Sequence, residues 1–188
     1  MKIILLLLAL AIPVTADSIS STASFSITGA MYSLDGTTFT DAPSLSPVYV
    51  PPGTVEVVFV GTITNNDTTA NDYLYLNDQS TSTLPSHLSL DTNYFFSTAA
   101  GALDAQTPGD NYYYYTGGIF GILLAPTTPS GAYTGTYSVL GGATNVTLDT
   151  VGSAQAFSIV VTPEPHVRFT IAASVGFLAL LRRRRLTN

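Results

Sequence analysis

Between residues 24 and 161, apolar and polar side chains alternate over short stretches with a period of two. That is the spacing of strands rather than of helices. The segment Val55–Thr64 puts Val55, Val57, Phe59 and Ile63 on one face and Glu56, Thr62 and Thr64 on the other, which predicts that Glu56 faces solvent. Ser24–Thr28 alternates cleanly, and Tyr73–Leu76 is short and rich in strand formers. Ile119–Leu124 is nearly continuous in apolar residues, as in a strand covered on both faces. Tyr133–Leu140 and Ala156–Val161 complete the set, with Phe157, Ile159 and Val161 sharing a face.

Turn signals separate these runs: Leu34-Asp35-Gly36-Thr37, Pro51-Pro52-Gly53, Asn65-Asn66-Asp67, Pro108-Gly109-Asp110 and Gly141-Gly142. No segment before residue 163 keeps helical spacing over three turns. About seven or more short strands with turns between them predict an all-β chain, an antiparallel β-sandwich of the immunoglobulin-like kind, with a β-barrel as the second choice. Two segments, Phe59–Asn65 and the GxYxGxY run Gly131–Tyr137, resemble strands of small Ig-like domains, and Gly135 inside the second predicts a bulge or a close backbone approach.

The two ends read differently. Met1-Lys2, an apolar run Ile3–Ile12, Pro13 and the small-x-small triplet Val14-Thr15-Ala16 describe a signal peptide of residues 1–16, cut between Ala16 and Asp17. At the other end Pro163-Glu164-Pro165 precedes an apolar run, Phe169–Leu181, and then Arg182, Arg183, Arg184 and Arg185. A cation block behind an apolar run stays on the cytoplasmic side and stops transfer. Thirteen residues at about 1.5 Å each reach roughly 20 Å, short of an apolar core of about 30 Å. Snorkelling by Arg168 and Arg182 lengthens the effective span, so a membrane helix of about 167–181 is expected.

Pro-Glu-Pro, a short hydrophobic helix and a terminal arginine cluster, with a signal peptide at the far end, resemble the PEP-CTERM sorting signal of Gram-negative bacteria. The resemblance covers Thr162–Arg185, and it departs from the pattern at His166 and Arg168, where such helices open apolar. It implies processing near Pro163-Glu164-Pro165 by an exosortase, an integral-membrane enzyme, and a host that makes extracellular polysaccharide or biofilm matrix. The chain then divides into signal peptide 1–16, exported domain 17–162 and sorting tail 163–188. A permanent single-pass anchor is the plain alternative.

Charge narrows the function of the exported domain. All six basic residues, Lys2, Arg168 and Arg182–Arg185, lie outside residues 17–162, whereas eleven of the twelve acids lie inside. A formal charge of about −11 with no cation rules against nucleic-acid binding, which needs cations to meet phosphates. It also removes lysine nucleophiles, arginine phosphate clamps and internal Lys/Arg salt bridges. With no cysteine there is no disulfide framework and no thiolate metal site.

Catalytic chemistry is not visible. His87 is the domain's one histidine, in Leu84–Leu88 where a loop enters a strand, and no G-x-S-x-G elbow surrounds any serine. The acids Glu56, Asp72, Asp78, Asp91, Asp104 and Asp110 show no spacing that pairs two of them across a sugar bond. Asn65, Asn66, Asp67, Asn71, Asp72 and Asp78 gather oxygens that calcium would accept, although no EF-hand spacing is present and such clusters also build ordinary turns. Tyr112, Tyr113, Tyr114 and Tyr115 alternate if extended, which leaves one pair exposed for stacking on sugar rings; the alternative is cross-strand packing. Asn66-Asp67-Thr68 and Asn145-Val146-Thr147 fit the N-glycosylation pattern. The expectation is a secreted, non-enzymatic structural or adhesive protein with no cofactor. It would be held briefly in the inner membrane and then delivered to the cell surface or polysaccharide matrix. A carbohydrate- or calcium-binding surface module is the alternative.

Overall fold

The structure is a computed structural model that describes residues 23–69, 72–91, 95, 97, 101–106 and 112–163. The expected signal peptide, with Ala16 and Asp17, and the tail from Glu164 onward lie outside the described residues. Among the described residues no helix is long and apolar enough to cross a membrane.

Among the described residues eleven strands form: β1 Ala23–Ser33, β2 Phe39–Asp41, β3 Val48–Val50, β4 Glu56–Asn65, β5 Leu74–Thr81, β6 Leu88–Asp91, β7 Ala102–Leu103, β8 Tyr114–Leu124, β9 Gly131–Gly142, β10 Asp149–Thr150 and β11 Gln155–Val161. They make two sheets. One runs β2-β1-β4-β8-β6 and the other β3-β11-β9-β5-β7, with β10 also on β9. Two separate open sheets replace the closed cylinder of the barrel alternative. The pairing is not purely antiparallel: β3 runs parallel to β11, with Ile159 opposite Val48 and Val161 opposite Val50.

The alternation along each long strand explains why the sheets face one another. Phe25, Phe59, Ile63, Phe120 and Ile122 of the first sheet and Leu74, Leu76, Tyr137, Val139, Phe157 and Ile159 of the second form one buried cluster. Its centre is aromatic. Phe120 stacks on Phe59 at 4.6 Å and on Tyr137 of the other sheet at 3.9 Å. Phe157 tilts against both Phe59 and Phe120, and Phe25 meets Tyr137 edge-on. The Tyr137 hydroxyl donates to Gln79 Oε1 at 3.1 Å, so the one polar atom in this stack keeps a partner.

Glycines make this packing possible at two points. The Phe157 ring lies against Gly135, where a Cβ would sit 2.5 Å from its Cζ, which is the close approach the sequence predicts. Gly141 and Gly142 depart from their expected role as a turn, because β9 runs straight through them. Gly141 lies opposite Leu76 of β5 and Asp149 of β10, and any side chain there would collide with the Tyr75 carbonyl.

Phe120→Ala removes the ring that joins the two sheets. It should cost about 3–5 kcal/mol and lower Tm by about 10 °C or more in thermal unfolding followed by circular dichroism.

Candidate functional site

Strand directions sort the candidate residues onto two ends of the molecule. Asn65 at the end of β4, Tyr114 at the start of β8, Leu74 at the start of β5 and Gly142 at the end of β9 lie at one end. Ser33, Pro51–Thr54, Leu124–Ser130 and Thr162-Pro163 lie at the other.

The candidate calcium residues are drawn together mainly as a backbone knot. Asn65 is buried; its Nδ2 donates to the carbonyls of Asp72 (3.0 Å) and Leu103 (3.3 Å), and its Oδ1 accepts from the Asp67 amide at 3.1 Å. Asp67 Oδ1 accepts the Thr69 amide at 2.8 Å, and these amide bonds hold its carboxyl below the usual carboxylate range. Asp78 sits apart on β5 at a register shift, where its Oδ1 accepts the Gln79 amide. Asn66 and Asp72 are exposed, and Asn71 lies outside the described residues. Backbone bonding engages the Asn65, Asp67 and Asp78 side chains. Among the described residues no three His, Cys, Asp or Glu side chains are placed to hold a metal.

The tyrosine row divides as the alternation implies. Tyr112 is 76% exposed and Tyr114 44%, whereas Tyr113 and Tyr115 are half-buried. Tyr113 and Tyr114 meet edge to face at 5.1 Å, and the Tyr115 hydroxyl donates to the Gly118 carbonyl at 2.9 Å. Tyr73, 43% exposed, lies at the same end and tilts against Tyr75.

His87 precedes β6, half-buried, with its ring edge-on to Tyr133 at 4.9 Å. Two shallow open clefts are lined only by uncharged residues. One lies beside the chain exit, between Pro52, Pro126, Thr128, Val161 and Pro163, and the other surrounds Gly135 with Ser46, Ser82, Thr134 and Ser158.

Two acids depart from their sequence reading. Glu56 keeps its predicted face but is only 7% exposed, because its side chain lies over Gly121 of β8. Asp91 of β6 is opposite Gly121 on the other side and reaches the same spot, so two carboxylates with no spacing signal are brought together. The signal available in the sequence was Gly121, the one residue without a side chain inside an otherwise bulky apolar run. Burial, and then the Asp91 charge, raise the Glu56 carboxyl above its ordinary value. Glu56 Oε1 is buried without a hydrogen-bond partner. Comparison with known proteins matches no family model, no curated protein and no solved structure.

Asn65→Ala strands the Asp72 and Leu103 carbonyls and the Asp67 amide. It should cost about 2–3 kcal/mol in denaturant unfolding. Millimolar calcium should neither rescue the variant nor shift the wild-type midpoint.

Proposed function

We propose that this protein is an exported, non-enzymatic surface protein whose tail sorts it through the inner membrane to the cell surface or extracellular matrix. The observation that supports this reading is where the last described strand ends. Thr162 donates both its amide (2.9 Å) and its hydroxyl (3.1 Å) to the Val50 carbonyl, and Pro163-Glu164-Pro165 follows with no spacer. Removal of everything after Pro163 would leave every strand intact, as a processed tail requires. At the front, β1 begins six residues after Asp17, so the expected signal cleavage would also spare the fold. An exosortase-type enzyme is the implied partner. We read the fold more finely as an immunoglobulin-like sandwich, supported by two sheets in which neighbouring strands are mostly non-consecutive.

A second reading, a polysaccharide-binding module, is favoured by the exposed Tyr112 and Tyr114 rings at the end opposite the tail. Held by its tail, the domain would present those rings away from the membrane.

Intact mass and cell fractionation of a protein tagged just after Asp17, expressed in a PEP-CTERM host, test the first reading. The expected product is a surface or released form ending near Pro163-Glu164-Pro165; a full-length form kept in the inner membrane makes the tail a simple anchor. Retention of the isolated 17–163 domain on host polysaccharide, lost by about tenfold in a Tyr112→Ala/Tyr114→Ala variant, would support the second.

A further inference from the structure

Glu56 and Asp91 approach one another over Gly121 of β8. Residues 17–162 contain no lysine or arginine, and Glu56 Oε1 is buried without a hydrogen-bond partner. The geometry is built by strand register. Glu56 starts β4 and leans sideways over Gly121 of β8, where a Cβ would stand 2.6 Å from its Oε1. Asp91 ends β6, pairs directly with Gly121, and places its own Cβ 3.3 Å from that same position. The other elements packed against Glu56 bring nothing cationic. β1 contributes Ser33, whose hydroxyl donates to Asp35, and β8 contributes Gly121 and Leu123. Asp35 is bonded by the Thr37 and Thr38 amides and stays ionised well below the usual carboxylate range. His87, next to the start of β6, has its ring against Tyr133 instead.

We propose that Glu56, beside Asp91, acts as a pH-sensitive latch on the edge strand β6: the β6–β8 pairing holds while Glu56 is protonated and loosens when Glu56 ionises. β6 is four residues long and pairs on one side only, with β8, so few backbone bonds retain it. With Glu56 protonated the pair carries at most one charge. When Glu56 releases its proton to solvent, a carboxylate whose Oε1 is buried without a donor faces Asp91, and separating β6 from β8 lets water reach that oxygen.

The sign follows from the raised folded-state value. Glu56 binds its proton more tightly folded than unfolded, so its stabilising contribution is complete below the ordinary glutamate range and is lost as pH rises through the raised value. The domain's other acids add a general repulsion as pH rises, so the difference between wild type and variant is the readout.

Thermal unfolding and backbone amide exchange of the isolated 17–163 domain, between about pH 4.5 and about pH 8, test the latch in wild type, Glu56→Gln and Asp91→Asn. Exchange is corrected for the intrinsic pH dependence. The expected result is that wild-type Tm falls with rising pH and the Ser89 and Asp91 amides lose about tenfold protection. Glu56→Gln should keep its acid-side Tm and protection at neutral pH, and Asp91→Asn should reduce the slope, because burial of Glu56 remains. Superimposable pH profiles for wild type and both variants would overturn the proposal. So would calcium that restores neutral-pH stability in wild type and not in Glu56→Gln, which would make the pair a cation site.

Discussion

The face-to-face contact of Phe120 with Phe59 on its own sheet and with Tyr137 on the other is the interaction on which the two-layer structure depends. Residues 17–163 contain no cysteine to form a disulfide and no Lys or Arg to make an ion pair. Burial of apolar area has to hold the layers together, and aromatic rings bring the most area per residue. The stack imposes conditions elsewhere. Phe157 can join it only because position 135 lacks a side chain, and Tyr137 can be fully buried only because Gln79 receives its hydroxyl.

The long strands were legible because each must bury one face. Period-two alternation located β1, β4, β9 and β11, strand-former enrichment located β5, a nearly continuous apolar run located β8, and turn chemistry located the loops at Asp35-Gly36, Pro51–Gly53 and Asn65–Asp67. The short strands β2, β3, β6, β7 and β10, of two to four residues, are too brief to display a period; register against a neighbour creates them. The parallel β3–β11 pair was invisible for the same reason, since nothing in Val48-Tyr49-Val50 encodes the direction of its neighbour. Gly141-Gly142 misled because a glycine pair signals equally a turn and a strand crowded on both sides.

The candidate site was legible in chemistry but not in assembly. Asn65, Asp67 and Asp78 are oxygen-bearing residues near turns, and each spends an oxygen on a nearby amide. In a domain without cations, backbone N–H groups are the chief means of holding a carboxylate ionised, and Asp35 and Asp67 use them. Glu56 differs in that its Oε1 is buried without a hydrogen-bond partner, and the acid beside it, Asp91, is 35 positions away on a strand too short to be read from sequence. Local signals could identify the acids that turn chemistry satisfies; they could not identify the one that the fold leaves unsatisfied.

The placement of short strands also bears on how a matrix role could work. Both edges of each sheet, β2 and β6 on one and β3 and β7 on the other, are strands of two to four residues. Short edges limit the backbone available for pairing with another copy, so edge-to-edge polymerisation is disfavoured. The longer strands β1 and β8 do extend beyond β2 and β6, but Gly152 of the β10–β11 loop packs against Ser24 and Phe25 on the flank of β1. Any adhesive property must then reside on sheet faces or on the ends. Of those, the end with Tyr73, Tyr112 and Tyr114 offers exposed rings, while the opposite end is occupied by the chain's exit at Pro163. A protein held by its tail would present the tyrosine end outward, with short edge strands that disfavour growth into a β-polymer.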